Sequence, residues 1–127
     1  MTDFRPATLH NFKLGVGQCS AFPGYKLGIA AVNSNRRTHL YDELMNIVID
    51  RDSIRRAVKG NMQCFIEFNN GSMIDVFVAS DNARGKKFDE VIIETDIPQN
   101  IIWNVMANMI VPWQLRPWRH GFKVNER

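Results

Sequence analysis

The chain predicts an α/β fold, a small mixed β-sheet with a β-hairpin and packed helices. Three observations carry that expectation. "YKLGIAAVN" (25–33) is an apolar run without strict alternation, which suits a strand covered on both faces. "MQCFIEFNNGSMIDVFVAS" (62–80) sets two β-branched and aromatic runs either side of a tight-turn signal. "VIIE" (91–94) is another buried-type strand, and a strongly apolar helical pattern follows it. The order strand, helix, hairpin, strand, helix argues for two or three layers around a mixed sheet.

Each element has its own justification. In "THLYDELMNIVID", Leu40, Leu44, Ile47 and Val48 fall on one helical face, which predicts a helix over about 37–50. "DSIRRAVKG" predicts a further short helix, with Ser53 as N-cap and Gly60 as the stop. In the hairpin, Met62, Cys64, Ile66 and Phe68 share one face of the first strand. Ile74, Val76 and Val78 share one face of the second. In "DIPQNIIWNVMANMIV", Asp96 fits an N-cap, Pro98 the first turn and Gln99 the third capping-box position. Ile101, Val105 and Met109 stack on one side of that helix, and Ile102, Met106 and Ile110 on the adjacent side. Pro112 ends it.

Composition bounds the function. At 127 residues the chain is expected to be one domain (1–127), with 112–127 a basic, tryptophan-containing tail. Hydrophobic content of 45% and charged content of 23% are ordinary for a globular protein. No apolar run approaches the roughly 20 residues of a membrane span, and "MTDFRPATLH" has no signal-peptide core. A cytoplasmic location with no membrane partner is therefore expected. Cys19 and Cys64 are isolated, which indicates buried small side chains rather than disulfides. His10, His39 and His120 have no metal-ligand spacing, so neither a metal nor a cofactor is expected. The net charge of +3 equals that of the tail, where Arg116, Arg119, Lys123 and Arg127 face Glu126. The remainder is balanced, so positive potential sits in local patches.

The stretch "NGSMIDVFVASDNARGKKFDEVIIETDIPQNIIWNVMANMIVPW" resembles the middle of the ATPase domain in the large terminase subunit of tailed bacteriophages. That family has an Asn-Gly-Ser hairpin, an Arg-Gly turn, an apolar strand closing in Asp-Glu, and a helix opening near Ile-Pro. Asn70, Gly71, Ser72, Arg84, Gly85 and Val91 to Ile93 stand in those places here. "PGYKLGIAAVNSNRRTHLYDEL" resembles the preceding strand-helix unit, so the likeness covers about 23–113. It implies a reduced RecA-like core.

The departures concern chemistry. The family's phosphate-binding loop ends in Gly-Lys-Ser or Gly-Lys-Thr. The one candidate stretch is "KLGVGQCSAF" (13–22), which has Gly15 and Gly17 but no lysine after them before Lys26. Gly85-Lys86 lies in a turn between strands. The resemblance sets the magnesium-holding Asp at Glu94 and the catalytic Glu at Thr95, which cannot act as a base. A one-residue shift sets Asp96 there instead, where it also fits as a cap. A terminase's nuclease half has no room in this length. The shape is expected without the hydrolysis, so no catalytic residue is assigned.

Three basic clusters remain as nucleic-acid-binding candidates: Arg36 with Arg37 after a strand, Arg84 with Lys86 and Lys87 on a turn, and Arg116 with Arg119 beside Trp113 and Trp118. If the strands follow the resembled fold, the first two clusters lie at carboxyl ends of neighbouring strands, where α/β sheets bind ligands and cations suit phosphate. "ARGKK" also reads as a solvated turn, and the tail's Trp and Arg as a core-edge cover or as protein-binding anchors. The expected role is a non-catalytic phage-associated protein that binds DNA or a DNA-processing complex, such as one for DNA packaging. The alternative is a phage-encoded protein-binding inhibitor of a host or rival-phage machine. An active nucleotidase or nuclease would need Glu94, Asp96 and Asp75 or Asp89 to gather around a metal. DNA, a protein partner and a homo-oligomer all remain open as partners, as does the source of an N-terminal strand, this chain or another.

Overall fold

The computed structural model describes residues 4–110 apart from 49, 62, 81, 82 and 84. Six strands form one sheet in the order β1 (Phe4–Pro6), β6 (Glu90–Ile93), β2 (Lys26–Ala31), β5 (Met73–Val78), β4 (Cys64–Phe68), β3 (Ile54–Lys59). The first four are mutually parallel, and β5, β4 and β3 form an antiparallel meander. The α/β class and the mixed sheet agree with the sequence. The strand beside β6 is the chain's own β1, so no second chain is needed to supply it.

Successive strand residues face opposite sides of the sheet and divide the interior in two. Leu27, Ile29, Ile66, Ile74, Val76 and Ile92 face α1 (Leu9–Ala21) and α2 (Ser34–Ile47) on one side. Ala30, Phe77, Val91 and Ile93 face the C-terminal segment on the other, chiefly Val105, Met106 and Met109. The central strands are thus covered on both faces, as their unbroken apolar character requires.

The Asn-Gly-Ser turn proves to be a fastener. Gly71 takes φ +88°, which only glycine adopts without strain. Buried Ser72 accepts from the Tyr25 backbone N–H at 3.1 Å and donates to the Phe22 carbonyl at 2.8 Å. Asn70 Nδ2 donates to the Cys19 carbonyl at 2.8 Å. The hairpin therefore clamps the link between α1 and β2. Beside it, Tyr25 Oη meets Glu90 Oε1 at 3.0 Å and Gln18 Oε1 at 2.9 Å, and Arg5 pairs with Glu90. Burial, then the nearby Glu90 and Asp89 charges, pushes the Cys19 thiol well above its ordinary range.

Several expectations are corrected. "KLGVGQCSAF", which the sequence rejects as a phosphate loop without assigning it an element, lies mostly in α1, capped by Thr8, whose Oγ1 accepts from Asn11 N–H at 3.1 Å. A Cβ at Gly15 would come within 2.6 Å of Leu27 Cδ2, so that glycine lets α1 approach β2. "DSIRRAVKG" is not a helix. Arg51–Ser53 makes one 3₁₀ turn capped by Asp50, and 54–59 becomes edge strand β3. Ladder bonds to β4 decide this against the local helical pattern. Ser53 Oγ donates to the Asp50 carbonyl instead of capping.

The last helix is shorter than its pattern. Pro98 precedes α3 (Gln99–Ile101), which passes into a π-turn over Ile102–Met106. Asp96 is exposed and does not cap it. The wider turn keeps Ile101, Ile102, Val105 and Met106 toward the sheet and turns Trp103 and Asn104 outward. The first strand is trimmed to 26–31, and α2 opens at Ser34, three residues early, capped by Asn33 Oδ1 accepting from Arg36 N–H at 2.9 Å. Met62 lies outside the described residues, and Val78 is half-buried. Among the described residues, no helix is long and apolar enough to cross a membrane.

Ser72→Ala is expected to cost about 1–2 kcal/mol, because it removes two hydrogen bonds that tie the hairpin to the α1–β2 link, while the Tyr25 N–H keeps its 3.1 Å bond to the Phe22 carbonyl. Urea unfolding measures it, and a change below about 0.5 kcal/mol would contradict the fastener role.

Candidate functional site

Because β1, β6, β2 and β5 run parallel, their carboxyl ends meet along one edge, the usual ligand edge of an α/β sheet. Two positions on that edge decide what it can do.

The first is the link from β1 to α1, which consists of Ala7 and Thr8 alone. It is closed on itself. Ala7 N–H donates to the Ile93 carbonyl at 3.0 Å, and Asn11 Nδ2 donates to the Pro6 carbonyl at 2.9 Å. A phosphate cradle needs a longer, glycine-rich turn whose amides point inward unpaired.

The second is Glu94, at the end of β6. Its Oε1 accepts from the Val32 backbone N–H at 2.9 Å. Its Oε2 accepts from Arg36 Nε at 2.8 Å and Nη2 at 2.7 Å. Both oxygens are engaged, one by the chain leaving β2 and one by the first turn of α2. The hydrogen bond to Glu94 raises the Arg36 guanidinium above its ordinary pKa, so it stays charged at any working pH. This explains a cation in the first turn of α2, where the helix dipole disfavours it. Asp96 lies in the exposed 95–96 turn, where its charge adds to that of Glu94 on Arg36. Asp75 pairs with Lys86 at 2.9 Å, and Asp89 Oδ2 accepts from Lys26 N–H at 2.8 Å. Among the described residues, no group of three or more His, Cys, Asp or Glu side chains could hold a metal ion.

The basic residues divide. Arg36 serves Glu94, and Lys87 Nζ donates to the Asn108 carbonyl at 2.7 Å. Arg37 and Lys86 come together on one pocket of about 400 Å³ at the ends of β2 and β5. Arg37 Nη2 donates to the Asn61 carbonyl at 2.6 Å, and Lys86 Nζ lies 5.8 Å from the Phe77 ring centroid. Arg84, Arg116 and Arg119 lie outside the described residues, as do Trp113 and Trp118.

A second crevice, about 630 Å³, opens between α1 and α2 above Glu94. Lys13 and Glu43 line it with Phe12, Leu40 and Ile47. Lys13 went unnoticed in the sequence because its stretch resembled a glycine loop. Once α1 is a helix, the i, i+4 spacing from Leu9 to Lys13 sets both on the crevice.

Comparisons with protein-family models, curated proteins and solved structures found no match.

Millimolar Mg²⁺ is expected to leave the thermal midpoint unchanged, since Glu94 is already neutralised by Arg36. A concentration-dependent rise of several degrees would mean that a carboxylate site accepts the ion.

Proposed function

We propose that this chain is a non-catalytic, phage-associated module resembling a terminase ATPase core, which contacts the phosphates of DNA, or docks on a DNA-processing complex, through the carboxyl edge of its sheet. The observation that carries the reading is the saturated Glu94. The residue that the resemblance assigns to magnesium instead bonds Val32 and Arg36. The two-residue link between β1 and α1 supports the same conclusion, as it offers no cradle for a triphosphate. The edge keeps two cations, Arg37 and Lys86, against Asp75 on one pocket, and the sequence adds a basic stretch over 112–127. Phosphate contacts of this kind give affinity without sequence preference.

The test is fluorescence anisotropy of the full chain with a labelled duplex and a labelled single strand, at low and physiological salt. Binding should weaken log-linearly with salt, and Arg37→Ala with Lys86→Ala should weaken it for all sequences alike. ATP turnover in the same preparation should not exceed the buffer rate. No binding at low salt would overturn the nucleic-acid reading, and Mg²⁺-dependent ATP hydrolysis would overturn the non-catalytic one.

A second reading, a protein-binding inhibitor of a host or rival-phage machine, draws on Trp103. This side chain is 68% exposed on the π-turn, and exposed tryptophan is a favoured interface anchor. Trp103→Ala should leave DNA binding intact and abolish capture of that machine's subunits from infected cells. Capture that survives the substitution would remove Trp103 as the anchor.

A further inference from the structure

The pocket that Arg37 and Lys86 share has a definite origin in the sheet. The β4–β5 ladder ends at the Cys64–Val76 pair, so Phe77 and Val78 run on past their antiparallel neighbour and leave a notch. The chain leaves β2 for α2 on one face of the sheet and leaves β5 across the other face toward β6. Neighbouring parallel strands whose connections part to opposite faces make a crevice between their ends. Its walls include Ser34 and Arg37 from the first turn of α2, Gln63 ahead of β4, Asp75 of β5, and Ser80 and Lys86 from the segment after β5, with Asp75 paired to Lys86 at 2.9 Å and the two cations leaving a net positive charge.

The lining suits a compact anion. Arg37 Nε is sealed from solvent and has no hydrogen-bond acceptor among the described residues, although Nη2 of the same group is held by the Asn61 carbonyl. A sealed donor offers a ligand nothing, so Arg37 contributes its charge from the wall of the cavity, where an anionic oxygen can answer it. Lys86 keeps ammonium donors beyond the one given to Asp75. Ser34, Ser80 and Gln63 add neutral polar groups. The positive end of α2 adds to these cations. A continuous phosphodiester backbone needs an entrance and an exit, whereas a notch walled by two faces and a turn receives a group that ends there.

We propose that this notch is a binding site for a phosphate monoester, held between Arg37 and Lys86, of the kind found at the 5′ end of a nucleic-acid strand or on a nucleoside monophosphate. The nucleotide class of the ligand rests on the reading above, and the site is separate from the β1–α1 link where the resemblance would set a phosphate loop.

The test uses the full chain, a short single strand carrying a 5′-phosphate, its 5′-hydroxyl twin, and a nucleoside 5′-monophosphate as competitor. The phosphorylated strand should bind about tenfold tighter than its twin, the worth of one charge-assisted contact set. The monophosphate should compete that preference away. Lys86→Gln should remove the preference, lowering the phosphorylated strand's affinity to that of its 5′-hydroxyl twin, whose own affinity falls by less. Arg37→Lys should reduce it, with unaltered far-ultraviolet circular dichroism as the folding control. Equal binding of the two strands, weakened alike by salt, would overturn the monoester site and leave the backbone reading standing. Saturable, Lys86-dependent binding of the monophosphate with no binding of either strand would support the pocket and overturn the nucleic-acid reading. No binding of any probe would overturn both.

Discussion

Glu94 is the constraint on which the carboxyl edge depends. Its backbone N–H closes the β6–β2 ladder on the Ala30 carbonyl at 3.2 Å, and its carbonyl accepts from Ile97 N–H at 3.3 Å to turn the chain away. Its carboxylate then ties the exit of β2 to the first turn of α2. One residue thus joins β6, β2 and α2 at the point where a hydrolytic core would keep an open charge. A half-buried carboxylate is tolerated only with its lone pairs answered, and here the chain itself answers them. The bonds that hold the edge together are the ones a metal ion at this carboxylate would have to displace.

The same economy governs the other polar groups. Asn70 and Ser72 spend their hydrogen bonds clamping the α1–β2 link. Glu90 gathers Tyr25 and Arg5. Lys87 is held by the Asn108 carbonyl and Arg36 by Glu94. Arg37 is held by the Asn61 carbonyl and Lys86 by Asp75, and these two cations share the pocket at the ends of β2 and β5. Of the five basic residues that the sequence sets around two strand ends, Arg36 and Lys87 are bonded elsewhere, Arg37 and Lys86 line one pocket, and Arg84 lies outside the described residues. Phosphate recognition depends on such geometry more than on net charge.

The fold was legible where one pattern was strong and unopposed. The run through Leu27, Ile29 and Ala31 carried β2, the Asn-Asn-Gly turn carried the hairpin, and Leu40 with Leu44 carried α2. It was illegible where local and tertiary preferences compete. Arg55, Arg56 and Ala57 are good helix formers, yet β4 offers them a ladder, and pairing prevails at a sheet edge. Gly15 and Gly17 hid the helix because glycine weakens a helix in water, while at Gly15 the close approach to Leu27 favours glycine in the folded chain. Asp96 and Gln99 had capping-box spacing, but the Glu94–Ile97 turn moved the helix start to Pro98. At the site, the sequence marked Glu94 and Arg36 separately and gave no sign that they bond, since 58 residues separate them. Nor could it reveal the notch, which exists only because β4 ends one pair short of Phe77.

The most direct measurement is a double-mutant cycle on the stability of Arg36→Ala, Glu94→Ala and the double variant, read from urea unfolding. The account predicts a favourable coupling of about 1 kcal/mol, with Glu94→Ala the costlier single change because it also strands the Val32 N–H. Additive effects, together with a gain in stability when Arg36 is removed and Mg²⁺ is supplied, would contradict it. Glu94 would then be a vacant metal ligand, and the edge would retain the chemistry that the ion pair is taken to have replaced.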